Sequence, residues 1–443
     1  WAACKGHQAD IGGSVAGGYN PQALEVWQEG LRIPPVKVYE RGTLRRDVWD
    51  FIFANIRLPI VQDDIRAEIG GCTIGERRLL QVFERYGYER MTAHIAALYD
   101  ATEKQMRAEI AQIPDGTYRG ISTVYFDSIR PDSEMSIVVT VTKREDEITF
   151  DYTGTSPQTP GFVNAPLNTT ISGLLLTFLM LVDPDIPHNA GLLRPIHVSV
   201  PEGCFLNPRY PAATTFGNTL TGPHSDALFR ALAPALPHHV TAAWNRVLAC
   251  NLVGFDPRFQ RRFVDILFLS QKGGSGATLG VDGYDHIGLI NCAGGILAQD
   301  YEMFELQTPN FLRRHEYWSD SAGAGKWRGG LGVYTEIELR GENNMAVIYG
   351  DGVNEGARAF GLFGGNAGAA NRLEFELPDG QRVTPRVKDK LENLPRGTLL
   401  RQWAGGGGGY GDPRARARER VLAEVRDELL SREKAREEYG VQV

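Results

Sequence analysis

The sequence lacks the features of a membrane protein and of a domain held together by disulfide bonds. No apolar run approaches the ~18 residues of a membrane-spanning helix, and no secretory signal pattern stands at the first residues. The five cysteines are scattered and odd in number, and no C-x-x-C pair occurs, so we expect reduced thiols. These absences favour a cytoplasmic protein that has no membrane partner.

The sequence also lacks a block of positive charge and a phosphate-binding loop of a known type. The 47 basic and 54 acidic residues give a net charge of −7, which argues against nucleic acid as a partner. No glycine-rich stretch matches the Walker A pattern, because Trp327 follows Lys326 where a hydroxyl residue is needed. We therefore expect no ATP site on this chain. The successive amides at Gly273, Gly274 and Gly276 are predicted to bind an anionic cofactor group, as a backbone nest does.

The length of 443 residues and the hydrophobic fraction of 42% indicate a globular protein with more than one core. We predict a mixed α+β fold with a helical N-terminal part, a β-rich central and C-terminal body, and a short C-terminal helical tail. The predicted segments are a metal and active-site loop with a helical region at 1–115, an α+β central domain at 116–260, a β-rich and glycine-rich domain at 261–412, and the tail at 413–443.

The spacing of apolar residues predicts the individual elements. Helices are predicted over residues 45–56, 61–86, 88–113, 171–182 and 226–236. Strands are predicted over residues 120–126, 135–143, 147–152, 263–269, 334–339, 345–349, 372–377 and 381–387. We expect a kink at Gly70-Gly71 and a pairing of 334–339 with 345–349. The tail is predicted as two helices divided at Ser431, and its narrow apolar side packs either on the same chain or on a partner.

The stretch from Gly6 to Pro35 concentrates residues that carry chemistry. His7 and Asp10 stand three apart on glycine-rich chain, and an imidazole with a carboxylate suits a divalent metal ion, whether Mn, Zn or Mg. The alternative is that His7 caps a turn and Asp10 forms an Asx-turn with the glycines. Glu29 and Arg32 follow and are predicted as catalytic residues, with Arg32 binding a phosphate or a carboxylate.

Several strings along the chain resemble the hydantoinase B family. They are A-D-I-G-G, Q-E-G-L-R-I-P-P, D-Y-T-G-T-S-P-Q, A-G-K-W-R-G-G-L-G and the closing Y-G-D-P. The resemblance implies a B-type subunit that works with a hydantoinase A-type partner, which binds ATP with Mg, in a hetero-oligomer with two or more copies. It also implies that family members carry further residues before Trp1, so we expect that part of the first domain is absent from this sequence.

Two departures from the hydantoinase branch of that family bear on the reaction. His286, predicted as a third catalytic residue, is followed by a string that differs from that branch. The segment from Asp300 to His315 is closer to the ketone carboxylase branch. The first prediction is therefore a subunit of an ATP-dependent ketone carboxylase that uses a ketone and bicarbonate. The alternatives are ATP-dependent hydrolysis of a cyclic amide and a structural subunit without chemistry of its own.

Overall fold

Helices fill the first part of the chain and strands dominate the rest. The computed structural model describes residues 3–15, 18–297 and 299–443. In those ranges the α-helices are α1 Arg46–Phe53, α2 Ile60–Tyr86, α3 Tyr88–Gln112, α4 Leu167–Leu179, α5 Thr221–Leu232, α6 Tyr301–Gln307, α7 Arg418–Arg426 and α8 Arg432–Glu437. The mixed α and β fold with a helical tail is confirmed.

The strands of the described chain form four sheets. They are β1 Tyr39–Glu40, β2 Thr43–Leu44, β3 Gly116–Tyr125, β4 Glu134–Arg144, β5 Glu147–Asp151, β6 Ile196–Ser199, β7 Leu248–Asp256, β8 Arg261–Asp265, β9 Phe311–Tyr317, β10 Val333–Glu338, β11 Glu342–Gly350, β12 Arg372–Glu376, β13 Arg382–Val383, β14 Asp389–Leu394 and β15 Leu399–Ala404. Their hydrogen-bonded orders are β1-β2, β3-β4-β5-β6, β14-β11-β7-β8 and β13-β12-β15-β10-β9. Strands β5 and β6 run parallel, and the remaining paired strands run antiparallel.

The sheet β3-β4-β5-β6 buries one face beneath helices α4 and α5. Side chains alternate along these strands, so that Val139, Val141 and Phe150 point inward and are fully buried. Phe178 of α4 meets Phe150 edge-on, with ring centroids 5.4 Å apart. Helix α5 lies so close to β3 that a Cβ at Gly120 would overlap the α5 backbone. A glycine at this position therefore sets the distance between helix and sheet.

The other two large sheets face each other across a second core. Ile348 on β11 and Phe375 on β12 are both buried there, and Leu400 on β15 lies beside them. The prediction that residues 334–339 pair with 345–349 is wrong, because β10 pairs with β9 and β15 whereas β11 pairs with β7 and β14. Each of the two strands is central in its own sheet, so the short connection between them crosses from one layer to the other.

A buried arginine links the first core to this pair of sheets. Arg246 donates to Asp226 on α5 at 2.9 Å and to Asp351, which follows β11, at 2.7 Å. Its guanidinium also donates to the carbonyl of Thr123 and the hydroxyl of Ser122 on β3. Both carboxylates are buried as well, so a single guanidinium serves as the counter-charge that they share at the junction.

Helices α2 and α3 are long, largely exposed and joined through the single residue Gly87. A break at Gly70-Gly71 does not occur, because α2 continues unbroken from Ile60 to Tyr86, and the kink stays a prediction. Each interior glycine costs a helix about 1 kcal/mol relative to alanine, which the rest of a 27-residue helix can absorb. Within the chain described here no helix is long and apolar enough to cross a membrane.

The five-glycine run Gly405–Gly409 lies in the interior and not in an exposed linker. Its residues are buried and run between the backbones of residues 273–277, 323–325 and 329–330, an arrangement we call the glycine bundle. Gly407 donates its amide to Gly330 at 3.0 Å and accepts the amide of Gly323 at 2.9 Å. A Cβ on Gly407 would overlap the carbonyl oxygen of Ser275. The run is glycine because backbones approach from every side.

The C-terminal tail packs on its own chain. Val421 is fully buried in a small core that also contains Ala324 and Ala435. Ser431 caps α8 by accepting the amide of Lys434, so the predicted division at this residue is confirmed. Of the two alternatives for the apolar side of the tail, the structure favours packing within the chain.

Candidate active site

Asp10 is a buried carboxylate that one arginine holds in place. Its two oxygens accept the backbone N–H of Arg57 at 2.6 Å and the Arg57 guanidinium at 3.1 Å. The same guanidinium donates to the carbonyl of Gly13, where the backbone has a positive φ of 77°. Asp10 is fully buried, so Arg57 provides the charge that its carboxylate needs.

Glu29 joins this loop to a second part of the chain. Its carboxylate accepts the backbone N–H groups of Thr214, at 2.7 and 2.9 Å, and of Thr215, at 2.7 Å. Burial raises the pKa of Glu29, while the hydrogen bonds from these two threonines oppose the rise. Because both oxygens are occupied by backbone donors, the observed role of Glu29 is to position the loop before Phe216.

Arg32 lies at the exposed edge of the same arrangement. Its guanidinium donates to the hydroxyl of Tyr210 at 3.2 Å and stands 5.0 Å from the centre of that ring. Trp27 meets Tyr210 edge-on at 5.5 Å. The amide of Leu31 donates to the carbonyl of Ile11 at 2.8 Å, which ties this segment to the loop of Asp10. We call Asp10, Glu29, Arg32, Arg57 and Tyr210 the N-terminal loop site.

An apolar cleft adjoins Arg32. It has a volume of about 340 Å³ and lies between residues 31–36 and helix α1. Ile33 and Phe51 supply exposed apolar surface to its walls, and Asp47 stands at its rim. A cleft of this size beside a guanidinium can receive a small, mostly apolar molecule with one polar group.

His7 and Asp10 are two candidate ligands for the predicted metal ion, and the described residues provide no third ligand beside them. His7 is exposed and its ring makes no hydrogen bond to a described residue. Over the ranges 3–15, 18–297 and 299–443, no three His, Cys, Asp or Glu side chains are grouped to hold a metal ion. An imidazole and a carboxylate still suit a divalent ion as two members of a larger ligand set. Gly17, one of the glycines that follow Asp10 in the sequence, lies outside the described residues.

The glycines predicted to bind an anion belong to the glycine bundle. Gly274 donates its amide to Gly405 at 3.1 Å, and the next residue, Ser275, donates to Tyr284 at 3.0 Å. Cβ atoms at Gly273 or Gly276 would overlap neighbouring backbone or side-chain atoms. The anion-binding role stays a prediction, and the observed packing favours a structural role for these residues.

His286 lies in a half-buried cluster of aromatic side chains. Its ring stands 4.9 Å from that of His315, and Tyr301 meets His315 at 5.3 Å. Burial lowers the pKa of His286, and the nearby Lys272 lowers it further. Among the described residues, no hydrogen bond or ion pair joins this cluster directly to Glu29 or Asp10. The role of His286 as a catalytic residue stays a prediction.

Comparison with known proteins identifies the family. The model of the family described as hydantoinase B/oxoprolinase matches residues 1–413. The chain belongs to this family. The beta subunit of the caprolactamase of Pseudomonas jessenii is 37% identical over 457 aligned positions, which cover 100% of this chain and 76% of that protein. The putative D-/L-hydantoinase B subunit of Pseudomonas sp. strain NS671 is 32% identical and covers 99% and 74%.

Two solved structures share the fold. The ATP-dependent caprolactamase of Pseudomonas jessenii superposes with a TM-score of 0.92 at 35% identity, covering 99% of this chain and 76% of that one. The nucleotide-free structure of acetone carboxylase gives a TM-score of 0.89 at 22% identity, covering 98% and 64%. At the lower identity the likeness shows the fold alone, so the carboxylase prediction is not confirmed by it.

Four residues that form or support the N-terminal loop site of this hydantoinase B protein were missed in the sequence, and they are Arg57, Tyr210, Thr214 and Thr215. Arg57 follows α1 in a stretch without a motif, and nothing in the chain order connects it to Asp10. Thr214 and Thr215 lie in a small polar stretch that has the pattern of an ordinary loop. These two positions contribute backbone amides, which every non-proline residue has, so residue type gives no signal for them.

Proposed function

We propose that this hydantoinase B chain is the B-type subunit of an ATP-dependent enzyme that hydrolyses a cyclic amide. The observation that carries the proposal is the 37% identity to the caprolactamase beta subunit along the whole chain. The similarity to a putative hydantoinase B subunit supports the same reaction class. The products would be an open-chain amino acid and, from ATP, ADP and phosphate.

The N-terminal loop site would bind the cyclic amide. The apolar cleft beside α1 suits the methylene groups of a small ring, because burying such groups is favourable. Arg32 at its edge would hold the polar side of the substrate, either the amide oxygen or a phosphate added to it. Glu29 and Asp10 act through Thr214 and Arg57, and they keep the walls of the site in register.

His7 and Asp10 would hold the divalent metal ion together with ligands from outside the described residues. When bound, such an ion supplies Lewis-acid polarisation and lowers the pKa of a bound water. A metal ligand needs a fixed orientation, and Arg57 provides this for Asp10 by donating hydrogen bonds to its carboxylate.

Metal content should depend on His7. Purified His7→Ala is expected to contain less than about a tenth of the divalent metal of the parent chain. Loss of a group that only hydrogen-bonds to a metal ligand lowers metal affinity roughly 10–100-fold, and loss of one of the two proposed ligands should cost at least as much. Elemental analysis by mass spectrometry measures this. His94→Ala, which removes an exposed histidine on α3, is the matched control and should keep the parental content. Equal metal in His7→Ala and His94→Ala would contradict the assignment.

ATP would bind to the partner and not to this chain. The sequence contains no Walker A loop, and the amides of the glycine bundle described above donate to backbone carbonyls. The relatives in the comparison are named as beta or B subunits, so we propose an A-type partner that carries Mg-ATP in a hetero-oligomer. The substrate would be activated on the partner and opened at the N-terminal loop site.

Ketone carboxylation is the second candidate. The fold shared with acetone carboxylase and the string from Asp300 to His315 support it, whereas sequence identity favours the amide. In the structure that string forms α6 and β9, and Asp300 caps α6 by accepting the amide of Met303. A structural subunit without chemistry is the third candidate.

The products distinguish the three candidates. The chain, purified with its A-type partner, is incubated with ATP and either caprolactam or acetone plus ¹⁴C-bicarbonate. We expect ATP-dependent release of an amino acid from the cyclic amide and no fixation of label. Label fixed in a non-volatile acid would establish carboxylation and overturn the proposal. If the partner alone performs either reaction at the same rate, the chain is structural.

A further inference from the structure

A second group of nitrogen-bearing side chains lies apart from the N-terminal loop site. Lys272 follows β8, His286 follows a turn of the chain near the glycine bundle, and His315 lies on β9. The two imidazole rings are 4.9 Å apart and inclined at 63°. Tyr301, the first residue of α6, lies against His315. Separate segments of the chain therefore bring these side chains together.

Lys272 is exceptional among the buried cations of the described chain. The buried lysine and arginine side chains are Lys143, Arg246, Lys272, Lys388 and Arg416. Each of the others has a direct partner, in order the carboxylate of Asp115, those of Asp226 and Asp351, the carbonyl of Tyr125, and the carboxylate of Asp282. Lys272 is 4% exposed, and its ammonium has neither a hydrogen bond nor an ion pair with any described residue.

The two histidines also have ring nitrogens that lack a hydrogen-bond partner. The Nε2 atoms of His286 and His315 are buried, and neither has a hydrogen-bond partner within the described ranges. The Nδ1 atom of His315 lies 3.0 Å from the hydroxyl of Thr335, which fixes the orientation of the ring. A buried polar nitrogen without a partner costs about 1–3 kcal/mol. Two such atoms beside the unpaired Lys272 ammonium indicate that a ligand from outside the chain satisfies them.

The electrostatics of the cluster identify the sign of that ligand. Burial lowers the pKa of His315 to about 4, and His286 and Lys272 contribute to the shift. Burial likewise lowers the pKa of Lys272, and no carboxylate of the described chain opposes it. The two imidazoles are therefore neutral near pH 7, and the Lys272 ammonium is the charge of the cluster, which attracts an anion and repels a cation.

We propose that Lys272, His286 and His315 form a binding site for a small oxyanion, either a phosphate or a carboxylate. The ammonium supplies the charge, and a bound anion would favour the protonated form of both imidazoles. Each protonated ring carries an N–H at Nε2, so the occupied site would offer three hydrogen-bond donors to one group of oxygens. His286, predicted above as catalytic, then acts as a binding residue. The inference does not depend on which reaction the protein catalyses.

Anion titration of the full chain tests the site. Inorganic phosphate and acetate are titrated separately by calorimetry at constant ionic strength. We expect one saturable site for at least one of them, and binding about 10- to 100-fold weaker in Lys272→Met, because charge-assisted hydrogen bonds are lost. Saturation by phosphate alone identifies a phosphate site, and saturation by acetate identifies a carboxylate site. Lys37→Met, which removes an exposed lysine, should bind as the parent does.

Thermal unfolding separates a lost ligand from a damaged fold. Without anion, Lys272→Met should melt at or above the temperature of the parent, since an unpaired buried charge has been removed. The bound anion should raise the melting temperature of the parent, and the same anion concentration should raise that of the variant by less. If Lys272→Met does not fold, His315→Gln replaces it in the titration and should also weaken binding. Absence of saturable binding in the parent, or equal affinity in the folded variant, would overturn the proposal.

Discussion

Gly407→Ala is expected to lower the free energy of unfolding by about 3 kcal/mol or more and to leave little folded protein in solution. The added Cβ would overlap the carbonyl oxygen of Ser275, which is itself packed inside the glycine bundle. Backbone atoms cannot move aside as a side chain can, so the whole bundle would have to open. Thermal unfolding followed by circular dichroism, with the soluble yield, measures the effect.

Gly71→Ala is the matched control for this change. Gly71 lies on the exposed surface of α2, and a Cβ there meets nothing within 4 Å. Because alanine is the better helix former, this variant should be more stable than the parent by up to about 1 kcal/mol. If Gly407→Ala melts within a few degrees of the parent, the close packing described for residues 405–409 is incorrect.

Arg246→Met is expected to cost about 3–5 kcal/mol. It leaves Asp226 and Asp351 buried without their shared counter-charge, and it removes the donors to Ser122 and Thr123. Denaturant unfolding of the variant and the parent gives the difference in free energy. Arg382→Met, which breaks an exposed ion pair with Glu376, should cost less than about 1 kcal/mol.

The deficit of Arg246→Met should depend on pH. Burial raises the pKa of Asp226, and Arg246 opposes that rise. A carboxyl whose pKa is raised in the folded state favours folding while it is protonated, and that contribution is lost as pH rises above its ordinary value of about 3.8. The stability difference between variant and parent should therefore be larger at pH 7 than at pH 4. A difference that does not change between these two pH values would show that Asp226 does not ionise at the junction.

Local pattern was sufficient for elements whose partners are close in sequence. Strands β4 and β5 alternate clearly, and the loop at residues 144–146 joins them directly, so both strands and their pairing could be predicted. The start of α8 followed from Ser431, whose side chain caps that helix, whereas α7 ends earlier, at Arg426. The prediction that β10 pairs with β11 was wrong, because closeness in the sequence does not determine which sheet a strand joins.

The candidate site shows the same limit. His7, Asp10, Glu29 and Arg32 were found because charged residues among glycines are visible in one short stretch. Their partners come from elsewhere in the chain, and Thr214 lies 185 positions after Glu29. His286 was assigned to that site on residue type, whereas its actual neighbours, Lys272 and His315, lie on other segments.

The glycine bundle also limits when this half of the protein can fold. Gly408 donates to the carbonyl of Ala243, and Gly409 donates to that of Asn366, so the bundle needs a segment near the end of the chain. At about 5–20 residues per second, a ribosome takes on the order of ten to thirty seconds to extend the chain from Ala243 to Gly409. During that interval most strands of the second core are already synthesised, while the glycine run at residues 405–409 does not yet exist. This half of the nascent chain is the part that a chaperone would meet unfolded.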